Sequence, residues 1–253
     1  MWTAVHVKKT DQNQGFGAWI RFGYTGLNRS GAGRVKPRFP RDGKRKENPM
    51  KLYYSPGACS LSPHIALLEA GLPYDLVKVD LRAKKLENGD DYLKVNPKGQ
   101  VPALALDSGE LVTEGPVIVQ MIADRAAGKN LAPARDSAER YKLMEWLNFI
   151  TTELHKNFGP MFSPVLADDA KAFFKDRVMG KFKYLETALA GKDYVMGKQF
   201  TVADAYLFTM LSWAERLKFD LSGMPNLLAY KARVGARPKV QEALTKEGLM
   251  KAA

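Results

Sequence analysis

Three short stretches hold residue types that could do chemistry together. The only cysteine, Cys59, follows the turn Ser55-Pro56-Gly57 and precedes Leu61, Ile65, Leu68 and Leu72, apolar residues at helical spacing with Pro63 early and Gly71 at the end. This places Cys59 at the N-terminal mouth of a helix, where free N–H groups and the positive end of the helix dipole can lower a thiol from about 8.5 toward about 7 or below. The same position also suits a small buried hydrophobe, the commoner fate of a lone cysteine. Val101-Pro102 feeds straight into a strand; a cis bond there would turn the Val101 backbone toward a ligand, and a trans bond would make an ordinary turn. Glu114-Gly115-Pro116 opens another helix. It offers a carboxylate for an ammonium and bare N–H groups for a carboxylate, or else only a solvated acid at a helix start. A thiol, an edge of backbone and an amino-acid-recognising corner are together what a small thiol peptide needs.

The elements that must carry these residues follow from the hydrophobic pattern. Lys51-Leu52-Tyr53-Tyr54 and residues 74–79 predict strands, and residues 88–94 a short helical turn. Residues 101–106 and 111–113, joined by Asp107-Ser108-Gly109-Glu110, predict a hairpin. The following helix should bury Val117, Ile118, Met121 and Ile122. The order βαβ then ββα predicts a small mixed-sheet α/β domain over residues 50–130. Beyond a linker at 127–136 strands disappear, and residues 136–253 predict an all-helical domain. Within it, residues 141–156 are apolar on more than one face, as in a central helix contacted from several sides. Ala170, Phe173, Phe174, Val178, Phe182, Leu185 and Leu189 form one amphipathic stripe, and Thr201 with Asp204 forms a capping box ahead of a buried helix.

Composition removes several classes. One cysteine among 253 residues excludes intrachain disulfides, CxxC redox pairs and multi-cysteine zinc sites, and suits a reducing compartment. No apolar run reaches the roughly 18 residues of a membrane span. Walker loops, dinucleotide fingerprints, nucleophile elbows and paired metal-binding histidines are missing. The net charge of +12 invites a polyanion partner, but residues 1–49 carry eleven Lys or Arg against Asp11, Asp42 and Glu47, so most of the excess lies in a glycine-rich, aperiodic segment. It reads as a disordered basic extension. An organelle-targeting peptide, a basic arm for nucleic acid or lipid, and a tag or sequence upstream of a true start at Met50 are the readings open to it. The remainder calls for neither nucleic acid nor membrane as a partner.

Five ordered segments then carry a resemblance: residues 51–60 (Lys51 to Ser60), 96–104 (Asn96 to Leu104), 111–116 (Leu111 to Pro116), 145–156 (Glu145 to Lys156) and 200–204 (Phe200 to Asp204). Residues 50–253 resemble a cytosolic glutathione S-transferase, in particular the bacterial beta class. The resemblance implies a thioredoxin-like domain followed by a helical bundle, a cytoplasmic homodimer, glutathione as co-substrate, no metal, and conjugation to apolar electrophiles. By position it implies that Cys59 meets the glutathione sulfur, Val101 pairs with the cysteinyl unit, Glu114 and Gly115 hold the γ-glutamyl end, and Lys84 binds the glycyl end. Asn148 and the run Thr152, Glu153, Leu154 and His155 match glutathione contacts, some reaching the partner subunit's site. His155 is a candidate to assist the thiolate, and an interface or core histidine otherwise. Many relatives in other classes have serine after the glutamate, where this chain has Gly115, which keeps the N–H and lacks the hydroxyl. Tyr54, Phe158 and Trp213 are candidates for the co-substrate cleft. Thiol-disulfide exchange through Cys59 is a second activity open to such a site. A glutathione-dependent dehalogenase, an isomerase on the same fold, and a non-catalytic relative like the stringent-starvation proteins are the alternatives.

Overall fold

The computed structural model describes residues 49–251; the extension expected over residues 1–49 lies outside them apart from Pro49. A five-stranded sheet has the order β3-β2-β1-β4-β5, with β1 at Met50–Tyr54, β2 at Tyr74–Asp80, β3 at Lys85–Leu86, β4 at Ala103–Ala105 and β5 at Leu111–Thr113. β1 runs parallel to β2 and antiparallel to β4, so Leu52 stands between Leu76 and Leu104 at the centre of the sheet. The β1-to-β2 crossover is α1 (Leu61–Ala70). It ends at Gly71, whose φ of 67° is left-handed and whose N–H reaches the Leu67 and Leu68 carbonyls. Nearly every α1 residue is buried, because α1 packs both on α2 (Gly115–Arg125) and on the helical layer at α6 (Val202–Arg216) and α8 (Pro238–Lys246). The helical turn expected over residues 88–94 is a 3₁₀ turn, Tyr92–Lys94.

The inner face of α2 differs from expectation. Ile118, Val119, Ile122 and Ala123 are buried, whereas Val117 is exposed: the i, i+1, i+4, i+5 set faces α1 and leaves Val117 pointing outward.

The helical layer begins with α3 (Ala138–Phe149), which continues without a break into a π-helical segment, Ile150–His155, and the short α4 (Lys156–Phe158). Leu143, Leu147, Ile150 and Leu154 are buried, but Tyr141 and Met144 are exposed. The expected helix contacted from several sides is therefore packed on one face within this chain. α5 (Asp168–Ala188) buries Val178, Phe182 and Leu185. Phe173, expected in that stripe, is exposed and meets Phe174 edge-on. The capping box forms as expected. The Asp204 carboxylate accepts from the N–H groups of Thr201 (2.7 Å) and Val195 (2.8 Å) and from the Tyr230 hydroxyl (2.9 Å). Burial nevertheless pushes Asp204 up to about 6 against those hydrogen bonds. α7 (Pro225–Gly235) and α8 complete the layer. Arg140 of α3 ties the two layers together: its buried guanidinium makes a two-pronged contact with Asp124 of α2 at 2.9 and 3.1 Å. Among the described residues, no helix is long and apolar enough to cross a membrane, and no cluster of three His, Cys, Asp or Glu could hold a metal ion.

Candidate active site

A cleft of about 620 Å³ lies between the sheet layer and the helices, and it gathers Cys59, Lys84, Val101, Glu114, Gly115 and His155. The connection from β1 to α1 delivers Cys59 one residue before the N-cap, Ser60. The Ser60 hydroxyl binds this turn internally, donating to Ser55 O and accepting from Ser55 N–H. The turn is also held from outside. Glu247, past the end of α8, accepts from Gly57 N–H at 2.9 Å and pairs with the buried His64 Nδ1 at 2.8 Å, while Trp213 Nε1 donates to Gly57 O at 2.7 Å.

The half-buried Cys59 sulfur donates to the Val101 carbonyl at 3.1 Å, a bond only the protonated thiol can make. Burial pushes this thiol up to about 12, and the N–H groups of Cys59 and Ser60 and the Lys156 charge only partly oppose it. Of the two readings open for Cys59, the ligand-free site favours the buried thiol: desolvation works against the helix-mouth dipole where the sulfur sits outside the capping position and already has a carbonyl partner.

Val101-Pro102 is cis, and both residues line the cleft. Glu114 has a φ of 68°, a left-handed conformation that rarely suits a residue with a side chain. Its carboxylate takes a hydrogen bond from Lys98 Nζ at 2.7 Å, and the same ammonium reaches Thr113 Oγ1 at 2.9 Å. Lys84 donates to Gly99 O at 2.8 Å.

From the helical layer, the π-helical segment directs Thr151 and His155 at the cleft, a common placement for such segments. His155 Nδ1 lies 2.6 Å from the Tyr206 hydroxyl, and the ring stands edge-on to Trp213 at 5.1 Å. Burial, aided by Lys156, lowers His155 to about 4, so it is neutral near pH 7. Tyr206 is itself raised by burial and keeps its proton.

Several expected site residues lie elsewhere within this chain. Asn148 and Thr152 are exposed away from the cleft, and Glu153 pairs with Lys181 at 2.7 Å. Leu154 is fully buried in the core. Of the cleft candidates, Trp213 does line the wall. Phe158 is instead a core residue, packed against Phe182, Trp213 and Phe219, and Tyr54 is buried beside His64 and does not line the cleft. Residues not anticipated from sequence are Lys98, Tyr206, Phe162 and Arg216. Lys98 stands inside a motif already singled out, but nothing in its spacing points to Glu114.

Fold and cleft define a thiol-handling protein in which a thioredoxin-like layer carries the sulfur and a helical layer roofs it. The family models for the glutathione S-transferase N-terminal and C-terminal domains match residues 57–125 and 152–247. Glutathione S-transferase GstA of Escherichia coli O157:H7 is 50% identical over 200 residues, covering 79% of this chain and all of that relative. A sphingomonad glutathione S-transferase solved in complex with glutathione is 48% identical with a TM-score of 0.77, over 79% of this chain and all of the other. The bacterial beta-class enzyme of Sphingomonas chungbukensis is 49% identical with the same TM-score and the same coverage. The chain belongs to the glutathione S-transferase family.

Proposed function

We propose that this protein binds glutathione in the cleft and transfers its sulfur to an apolar electrophile: a carbon–sulfur bond forms, the leaving group departs, and the thiol proton passes to solvent. The observation that carries this reading is that Glu114, Gly115, Val101 and Lys84 line one cleft with the sulfur-bearing turn. Glu114 takes the ammonium of the γ-glutamyl end and the Gly115 N–H its carboxylate, Val101 pairs with the cysteinyl unit, and Lys84 meets the glycyl carboxylate. With the Tyr206 hydroxyl donating to Nδ1, His155 carries its proton on Nε2 and offers it to the ligand's sulfur. Lys156, next in sequence, adds a positive charge that favours a thiolate there. Since Cys59 is protonated in the free site, it acts first as a hydrogen-bond donor, which places conjugation ahead of disulfide exchange.

Cellular setting and assembly belong to the same proposal. A lone cysteine and a reduced-thiol substrate support a cytoplasmic location. A homodimer is supported by the outward face of α3, where Tyr141 and Met144 are exposed near Asn148 and Thr152; in a dimer these polar residues would reach the partner's cleft. Conjugation of glutathione to 1-chloro-2,4-dinitrobenzene tests the function. Turnover is expected, with the KM for glutathione raised in Glu114→Ala. Absence of turnover with bound glutathione would refute it.

A further inference from the structure

Among the described residues four cations line the cleft, Lys84, Lys98, Lys156 and Arg216, against a single carboxylate, Glu114. Glutathione near neutral pH brings two carboxylates and one ammonium. On the reading above, Lys84 takes one carboxylate and Glu114 the ammonium. The second carboxylate goes to the Gly115 N–H, beside Lys98, which now holds Glu114 at 2.7 Å. Lys156 is used beside the sulfur. Arg216 remains unbalanced: it is exposed, and the neighbouring carboxylate of Glu215 is already taken by Lys231 at 2.6 Å.

What surrounds Arg216 indicates what it faces. Its guanidinium lies over the Phe162 ring at 5.9 Å, and Phe162, still 40% exposed, meets Trp213 edge-on at 5.2 Å. Trp213 is in turn anchored to Gly57, two residues before Cys59. The result is an aromatic shelf held against the sulfur-bearing turn through Trp213, with a solvent-exposed cation at its edge. A flat ring gains apolar and quadrupole contacts on such a shelf, and an acidic group on that ring reaches the guanidinium, whose fork suits a carboxylate.

We infer that the co-substrate is a planar aromatic electrophile bearing an acidic group, its ring against Phe162 and Trp213 and its carboxylate on Arg216. This rests on the transferase reading and amends its substrate class: the co-substrate is apolar at its ring and anionic at one end. Displacement at such a ring forms the carbon–sulfur bond, releases a halide and returns the thiol proton to solvent.

The test compares 4-chloro-3-nitrobenzoate with the neutral 4-chloro-3-nitrobenzamide, each kcat/KM divided by the spontaneous rate with glutathione. The corrected preference for the carboxylate is expected to be about tenfold, as for one charge-assisted hydrogen bond at a partly solvated site. It should shrink in about 1 M salt. Arg216→Met brings the ratio to within about twofold of unity, and Arg216→Lys retains part of the preference. A wild-type ratio near one, or a ratio that Arg216→Met leaves unchanged, overturns the inference. Turnover of 1-chloro-2,4-dinitrobenzene in the same preparation separates that outcome from failure of the transferase reading itself.

Discussion

The state of the Cys59 sulfur can be measured by its reaction with iodoacetamide in the absence of glutathione. With the thiol pushed up to about 12, the thiolate fraction at pH 7.5 is on the order of one in 30,000, against about one in ten for an unperturbed cysteine near 8.5. That alone slows alkylation about 3,000-fold. A more basic thiolate is intrinsically more nucleophilic, with a Brønsted slope of about 0.4–0.5, which returns a factor of roughly 40. The net expectation is alkylation about a hundredfold slower than free cysteine, with a rate that climbs about tenfold per pH unit up to pH 10. A stopped-rate assay by intact mass reads this directly, since the chain has one cysteine. A rate that levels off below pH 8 would show a thiolate at rest and refute the argument that desolvation and the Val101 carbonyl outweigh the helix dipole.

Other variants probe the surrounding frame. Gly115→Ser is expected to fold normally, because a Cβ there would meet only Pro102 Cγ at 3.8 Å; the restored hydroxyl should lower the KM for glutathione by a few fold, read in a steady-state titration. Glu247→Ala orphans the buried His64 Nδ1 and Gly57 N–H and should cost about 2–5 kcal/mol in urea unfolding, with an unchanged m-value. His155 is lowered to about 4 in the folded chain from its ordinary 6.5, so unfolding takes up a proton between those values. Its contribution to stability is full above pH 6.5 and is lost as pH falls through 4. His155→Phe should flatten the dependence of the urea midpoint on pH in that window.

The parts of the site legible in the sequence were those encoded by neighbouring residues. Ser55-Pro56-Gly57 announced the turn before Cys59, Gly71 the end of α1, and Thr201 with Asp204 the start of α6, since each is a local hydrogen-bonding or φ requirement. The parts that escaped depend on residues far apart in the chain. Glu247 meets His64 across 183 positions and Tyr206 meets His155 across 51, and no spacing rule reports such pairs. Periodicity marked Phe158 as apolar but could not tell the core from the cleft. Helical phase was lost where the π-helical segment Ile150–His155 widens the turn, which turns His155 into the cleft and Leu154 into the core. The state of the thiol escaped for a different reason: sequence reports the helix dipole, while the opposing desolvation exists only once the chain is packed.

Calorimetric titration of the purified protein with glutathione addresses the proposed recognition most directly. One site per chain is predicted, with affinity weakened at least tenfold by Glu114→Ala, which removes the partner of the ligand's ammonium. The absence of a binding isotherm, or binding undiminished by Glu114→Ala, would contradict the assignment of this cleft to the tripeptide.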